Sequence, residues 1–369
     1  MSETPLFVPV GSNPARAFGM EARERACRLA ANAGFECADA VQAGRAALVA
    51  SMDYAWDPAW LKAIAARTGN VLTLGGKPVI AHLPADGDAA ATLAAVESGV
   101  VPPGYELLPA ESAELSYDEL RKRERPFVLP LDADDPEPVE RAAYDGAYKG
   151  VTDALTLYLW RRPAFYLTRW AARAGLSPNF VTLVGAVLCV LAFWLFWRGE
   201  YWWGVLSGFV FMVLDTVDGK LARVTGASSK WGEAFDHGID LIHPPFWWWA
   251  WEHGLAAYGR PLDPVYATMV LWMIVGGYVA QRIIEGLFIT QFAMHIHVWR
   301  PIDSRFRLIT ARRNPNMVIL VAALLVRRPD AGLVLVAFWT LVSLIFHAVR
   351  FAQAGERAAR GQPVVSWLA

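Results

Sequence analysis

A chain of 369 residues that is 55% hydrophobic, holds 17 tryptophans and has a positive mean hydropathy suits a membrane protein carrying a soluble part. Its formal net charge of −1 argues against a nucleic-acid binder. The three cysteines, Cys27, Cys37 and Cys189, show neither metal nor redox spacing and read as small apolar residues in a reducing compartment.

The N-terminus lacks the basic-then-apolar pattern of a signal peptide, so the first segment is expected to stay in the cytoplasm. Residues 1–145 are soluble in composition and read as a small α/β domain. Residues 19–34 have a helical pattern that Gly34 can cap. Residues 46–52 form an apolar run of strand length. Asp57 followed by Pro58 opens a second helix, and Asp88 caps an alanine-rich third one that runs to Ser98. Between these helices, residues 71–74 and 79–83 flank Gly75 and Gly76, a hairpin signal. Residues 129–140, dense in acids and prolines, read as a linker.

Residues 146–176 are amphipathic. Leu155, Leu159, Phe165, Tyr166 and Trp170 oppose Arg161, Arg162, Arg169 and Arg173, as in a helix lying in a membrane interface, with Pro163 expected to break or kink it. Residues 177–355 carry six apolar stretches, at about 179–197, 201–223, 233–256, 264–292, 317–326 and 331–351, and residues 356–369 form a tail. The expected fold is therefore an α-helical integral-membrane bundle of six transmembrane helices behind a small soluble α/β domain. Tyr201, Trp202 and Trp203 and the cluster Trp247–Trp249 would suit an aromatic belt. Basic residues gather before the first span, in the second and fourth connections and in the tail, with Arg327 and Arg328 discordant. The positive-inside rule then places both termini on the cytoplasmic side of an inner or cytoplasmic membrane.

Against this apolar background stand four aspartates. Asp215 and Asp218, at i and i+3, share one helix face; Gly232, Asp236 and Asp240, at i, i+4 and i+8, form one stripe along the next helix. Unpaired carboxylates in hydrocarbon are costly, so such residues are functional candidates. Two helices presenting two aspartates each can hold Mg²⁺ or Mn²⁺, and metal held this way usually meets a phosphate.

Written out, the stretch is D-x2-D-G-x2-A-R-x8-G-x3-D-x3-D, matched by Asp215, Asp218, Gly219, Ala222, Arg223, Gly232, Asp236 and Asp240. It resembles the signature of the CDP-alcohol phosphotransferase family, with every fixed position present. The resemblance implies an enzyme that moves a substituted phosphate group from a CDP-linked donor to an alcohol, releasing CMP. It implies that Asp215, Asp218 and Asp236, with or without Asp240, hold two divalent ions, Mg²⁺ or Mn²⁺, and that Asp240 takes the proton of the attacking hydroxyl. Gly219, Ala222 and Gly232 would leave room for the nucleotide, and Arg223 would add positive charge or fix a carboxylate. Asn179 and Thr182, at the start of the first span, could contact the cytidine, although capping explains Asn179 equally well. Arg282 and Glu285, at i and i+3, could neutralise one another; alternatively Arg282, with Arg305, Arg307, Arg312 or Arg313, binds a phosphate on the acceptor.

Some members of the family carry a fused nucleotidyltransferase domain, and the strand end near Asp53 weakly resembles one. No Gly-rich loop precedes a basic residue near the N-terminus, so the front domain reads as an inactive relic of that kind. The lipid bilayer, the CDP-linked donor and the alcohol are the expected partners, with a homodimer a possible assembly. Two other readings compete. An intramembrane prenyltransferase would need two well-separated Asp-rich motifs, whereas both here lie between Asp215 and Asp240. A metal or proton transporter would have no use for Gly219, Ala222 and Arg223.

Overall fold

The computed structural model describes residues 4–112, 115–117, 122–148, 150–228 and 230–368. Segments 115–117 and 122–124 and residues 230, 231, 233, 234, 236 and 237 are described as backbone alone. Two compact units emerge. The first comprises Met1–Tyr148, Phe165–Pro178 and Gly219–Ser229; the second comprises Lys149–Ala164, Asn179–Asp218 and Lys230–Ala369.

The first unit contains strands β1 (Leu6–Val10), β2 (Arg16–Ala17), β3 (Met20–Glu21), β4 (Ala47–Ser51), β5 (Tyr54–Trp56), β6 (Asn70–Leu74), β7 (Lys77–Leu83), β8 (Glu106–Pro109), β9 (Leu115–Tyr117), β10 (Lys122–Glu124) and β11 (Val128–Pro130). Its helices are α1 (Ala22–Asn32), α2 (Ala59–Ala65), α3 (Ala89–Glu97) and α4 (Glu137–Gly146), joined by most of α5 (Arg161–Arg173). Five strands form a mixed sheet in the order β1-β4-β7-β6-β8. Helix α1 lies between the parallel strands β1 and β4 in sequence, paired from Leu6 with Ala47 to Val10 with Ser51. Every residue of β4 is buried, which is why it reads as an unbroken apolar run. One core gathers Leu6, Val8, Val49, Val71, Leu83 and Val96.

The local expectations hold in most places. Gly75 and Gly76 both take positive φ between the antiparallel β6 and β7, the backbone that a two-residue hairpin turn requires. The Asp57 Oδ1 accepts from the Ala59 amide at 3.0 Å, and Asp88 accepts from the Ala91 amide at 2.9 Å. Two readings are corrected. Cys27 and Cys37 are joined in a disulfide, because the positive-φ turn at Gly34 brings the chain back from α1 toward β1. They are therefore a cross-link and not a sign of a reducing compartment; only Cys189 is a free, buried thiol. The acidic, proline-rich stretch is also no plain linker, since β11 pairs antiparallel with β5 and α4 begins at Glu137.

The helical run is interrupted just ahead of Pro163, between a π-helical turn at Leu155–Leu159 and α5. Pro163 falls in the first turn of α5, where its missing N–H has no partner to lose. Arg169 and Arg173 of α5 turn to Glu137 and Glu140 of α4. Arg169 lies 2.8 Å from Glu137 and 2.5 Å from Glu140, and Arg173 lies 3.3 Å from Glu140, whose side chain is fully buried. Two of the four arginines of the basic face expected at lipid headgroups, Arg169 and Arg173, are thus neutralised by the protein itself.

The second unit is helical. It contains a π-helical turn Leu155–Leu159, α6 (Pro178–Trp197), α7 (Tyr201–Thr225, through Asp218), α8 (Lys230–Ala257), α9 (Pro264–Phe292), a 3-10 turn Ile296–Val298, α10 (Pro301–Arg307), α11 (Arg313–Leu325) and α12 (Pro329–Ala359). Among the described residues, α6, α9 and α12 are long and apolar enough to cross a membrane, and α11 is a shorter apolar helix. The protein is thus mostly helical with membrane character and a small α/β region. The aromatic residues divide. Trp202, Trp203 and Trp249 are exposed as a belt requires, but Tyr201, Trp247, Trp248 and Trp251 are core. Their polar tips are paired inside: Tyr201 Oη donates to the Trp251 carbonyl at 2.5 Å, Trp247 Nε1 to Cys189 at 3.0 Å, and Trp251 Nε1 to Pro329 at 3.1 Å.

Close helix approach depends on small residues. A Cβ at Gly254 on α8 would lie 2.0 Å from the Phe196 carbonyl oxygen at the end of α6. Gly254→Ala should therefore force the two helices apart and cost about 1–3 kcal/mol. A thermal melt of the purified protein should show a lower midpoint, and an unchanged one would remove this crossing from the account.

Helix α8 continues through Pro244 and Pro245. Neither proline has an N–H, so the carbonyls of Asp240 and Leu241, four residues back, lose their helical donors. The Tyr278 hydroxyl of α9 donates to the Leu241 carbonyl at 3.0 Å and so replaces one of them. This is how the helix survives its interruption one turn beyond Asp240.

Candidate active site

Asp215 and Asp218 lie on α7, and Asp240 lies on α8. Asp218 is 4% exposed and accepts from the Thr182 hydroxyl of α6 at 2.7 Å. Thr182 thus holds a motif carboxylate in this structure. Arg313, the first residue of α11, donates to Asp215 Oδ2 at 2.5 Å and to Asp240 Oδ1, so one guanidinium bridges the two motif helices. Its carbon lies 5.1 Å from the centre of the Phe211 ring, one helical turn before Asp215. The Asp215 side chain is 15% exposed and that of Asp240 44%, which makes Asp240 the more accessible carboxylate. The Asp236 side chain lies outside the described residues; its backbone and that of Gly232 are helical.

Gly219, Ala222 and Arg223 belong to the first unit. A Cβ at Gly219 would come 3.2 Å from an Arg223 guanidinium nitrogen, so the space over this glycine is used by the arginine four residues on. Nearby, Lys220 is buried, donates to the Ala147 carbonyl at 2.8 Å and sits 3.4 Å over the Tyr148 ring. Asn179 is exposed at the start of α6.

The five arginines considered for an acceptor go to four places. Arg313 serves the aspartates. Arg282 and Arg312 converge on Glu285 of α9, Arg282 at 2.5 Å and Arg312 at 2.7 Å to both carboxylate oxygens. Arg312 has extended backbone angles (φ −133°, ψ 179°), which is why two adjacent arginines serve opposite directions. Arg307 is buried; Asp153, which faces it, is held below the usual carboxylate range although burial pushes it up, because Arg307, Asn314 and Thr156 favour its charge. Arg305 lines a cavity at the end of α12.

Glu285 is the hub that sequence reasoning saw only as a neutralising partner for Arg282. His297 Nε2 lies 3.2 Å from both Glu285 Oε1 and Arg312. Burial holds His297 well below the ordinary histidine range, so the ring is neutral and serves only one of the two neighbours. Glu285, His297 and His347 each bring a ligand atom within 4.8 Å of the others. Two guanidinium groups already surround that carboxylate, however, and their surplus positive charge opposes a cation.

The aspartate set is different. Its donors are all carboxylate oxygen, which hard cations prefer, and a guanidinium stands between Asp215 and Asp240 as the positive charge that the pair demands. These residues fit Mg²⁺ or Mn²⁺ in chemistry, with Arg313 turned aside from at least one carboxylate.

The family model described as CDP-alcohol phosphatidyltransferase matches residues 175–346. A phosphatidylinositol phosphate synthase of Mycolicibacterium smegmatis is 33% identical over 105 residues, 26% of this chain and 47% of that protein. Cholinephosphotransferase 1 of Gallus gallus is 34% identical over 136 residues, 33% of this chain and 38% of that protein. The chain thus spans less than half the length of the curated relatives it matches. Among solved structures, a Mycobacterium tuberculosis phosphatidylinositol phosphate synthase with CDP-DAG bound aligns with 52% of this chain and 94% of its own. The identity is 17% and the TM-score 0.41. Residues 175–346, which contain the whole aspartate motif, are thus the part of this chain that is similar to the CDP-alcohol phosphatidyltransferase family.

Proposed function

We propose that this protein is an integral-membrane phosphotransferase that displaces CMP from a CDP-linked donor with an alcohol, in phospholipid or related phosphodiester synthesis. The observation that carries the reading is the pairing of Asp215 and Asp240, from two helices, across a single guanidinium inside a matched family segment. Relatives named phosphatidylinositol phosphate synthase and cholinephosphotransferase support a phosphotransfer in phospholipid synthesis, with CDP-diacylglycerol or a soluble CDP-alcohol as the donor to be tested. The six-span count and a cytoplasmic site belong to this reading. They are supported by the helices α6, α7, α8, α9, α11 and α12 and by the basic residues of their connections.

When bound, two divalent ions would neutralise the diphosphate and acidify the acceptor hydroxyl. Asp215, Asp218 and Asp236 would hold them, and the Thr182 hydroxyl fixes the Asp218 rotamer. Asp240, accessible and adjoining the proline-loosened part of α8, accepts the proton of the attacking hydroxyl. Arg313, released from Asp215 or Asp240, offers its charge to a phosphate, as do Arg282 and Arg312 once a ligand competes with Glu285. Gly219, Ala222, Arg223, Gly232 and Asn179 complete the nucleotide side. The front unit is read as nucleotidyltransferase-like without that activity; Asp53 is exposed in the turn between β4 and β5.

The test is release of CMP from CDP-diacylglycerol or a soluble CDP-alcohol, with a panel of alcohols, before and after treatment with a chelator. CMP should appear with at least one pair and stop on chelation, while the melting profile changes little because Arg313 still neutralises the aspartates. No CMP from any CDP-linked donor would sink the proposal.

A further inference from the structure

At the far end of α12 lies a cavity of about 610 Å³ between α10, α12 and the C-terminal tail. Arg300, Arg305, Arg350, Arg357 and Arg360 line it, and Glu356 is the one carboxylate in its wall. Two of these arginines are neutralised: Arg360 by Glu356 at 2.5 Å, and Arg350 by the buried Asp303 at 2.6 Å and 2.9 Å. Arg305 and Arg357 make no ion pair among the described residues, and Arg300 reaches the already paired Asp303 only through its charge and its backbone amide. The floor is organised. The buried ring of Trp299 carries the Arg350 guanidinium at 4.2 Å and that of Arg300 at 5.4 Å, and Arg357 Nε donates to the Pro363 carbonyl at 3.0 Å. Fixed guanidinium groups lose little freedom on binding, so the site is prepared for an anion.

Its position indicates the source of the anion. Arg350, Arg357 and Arg360 follow the apolar part of α12, a helix long and apolar enough to cross a membrane. Ile345 and Val349, 59% and 47% exposed, precede them on that helix, and Ile302, 55% exposed, lies at the cavity mouth. Exposed apolar surface leading into surplus positive charge is the arrangement that suits acyl chains below and a phosphate above. We propose that this cavity binds the phosphate-bearing headgroup of an anionic membrane lipid. None of its lining residues belongs to the aspartate motif, and of the arginines considered for the acceptor only Arg305 lines it. The inference rests on α12 spanning a membrane.

The test compares the full-length protein with the double variant Arg305→Gln/Arg357→Gln, whose side chains are at least partly exposed and lack a carboxylate partner. Both are placed in phosphatidylcholine nanodiscs with and without phosphatidylglycerol, and retained lipid is counted by native mass spectrometry. Separate arms titrate inorganic phosphate and glycerol 3-phosphate against the melting temperature. The wild type should retain phosphatidylglycerol over phosphatidylcholine, and the double variant should lose that preference by about tenfold or more. Equal retention by the two proteins would overturn the proposal. So would a melting shift with inorganic phosphate or glycerol 3-phosphate that the double variant loses, unaccompanied by lipid retention, because the source would then be a soluble phosphate. Matching melting curves of the two proteins without lipid or phosphate guard against misfolding, with Arg300→Gln as a substitute variant if they differ. The readout is binding, so loss of CMP release would not imitate its failure.

Discussion

Asp240→Asn is expected to lower CMP release by at least about 10²–10⁴-fold, the range that general-base catalysis supplies. The amide keeps the size and shape of the carboxylate but accepts no proton at working pH. It also ends the charge pairing with Arg313, which remains tied to Asp215 at 2.5 Å. The fold should persist, because Asp240 is 44% exposed and its helix is held by Tyr278 and the tryptophan core. Binding of a CDP-linked donor in the presence of Mn²⁺ should survive, since Asp215, Asp218 and Asp236 are intact. The informative experiment is therefore paired: single-turnover CMP release and equilibrium donor binding on the same preparation. Retained binding with lost turnover identifies the base. Near-normal turnover would remove Asp240 from that role.

The second large effect lies far from the chemistry. Glu140→Ala should cost about 3–5 kcal/mol, the penalty for breaking a buried ion pair from one side. Glu140 is fully buried and accepts from the Phe18 amide at 2.7 Å, with Arg169 at 2.5 Å and Arg173 at 3.3 Å. Arg25 is also buried. Burial pushes its guanidinium down to about 10 while the charges of Asp57 and Glu140 resist. Removing one carboxylate therefore strands a backbone donor and weakens the support of three arginines. A loss of this size is a large fraction of the stability of an ordinary domain. Urea titration followed by limited proteolysis should show the first unit opening at markedly lower denaturant. Glu140→Gln, which restores an acceptor for Phe18 but not the charge, should recover only part of it.

The aspartate motif was fully legible because its spacing is set by helix geometry alone. Asp215 and Asp218 need only two residues between them to share a face. The hairpin at Gly75 and Gly76 and the caps at Asp57 and Asp88 were legible for the same reason, since each is written within a few residues. What sequence could not give was pairing across distance. Nothing local tells Thr182 to bond Asp218, or Arg313 to bridge Asp215 and Asp240, 98 and 73 residues away. Arg312 and Arg313 looked interchangeable until one extended residue sent them to different partners. The disulfide between Cys27 and Cys37 was hidden by an intervening turn, and the strand β11 by a stretch whose composition reads as linker. Tyr201 and Trp247 were assigned to the membrane surface because composition cannot say which carbonyl will meet an indole or phenol.

The paired prolines of α8 carry one more implication. A continuous helix behaves as a rod, so displacement at one end is felt at the other. Pro244 and Pro245 remove two rungs from that rod, and the bond from Tyr278 replaces the one at Leu241. The half bearing Gly232, Asp236 and Asp240 is thereby mechanically decoupled from the half anchored by Trp247, Trp248 and Trp251. The carboxylates can settle around a changing charge while the tryptophan anchor stays fixed.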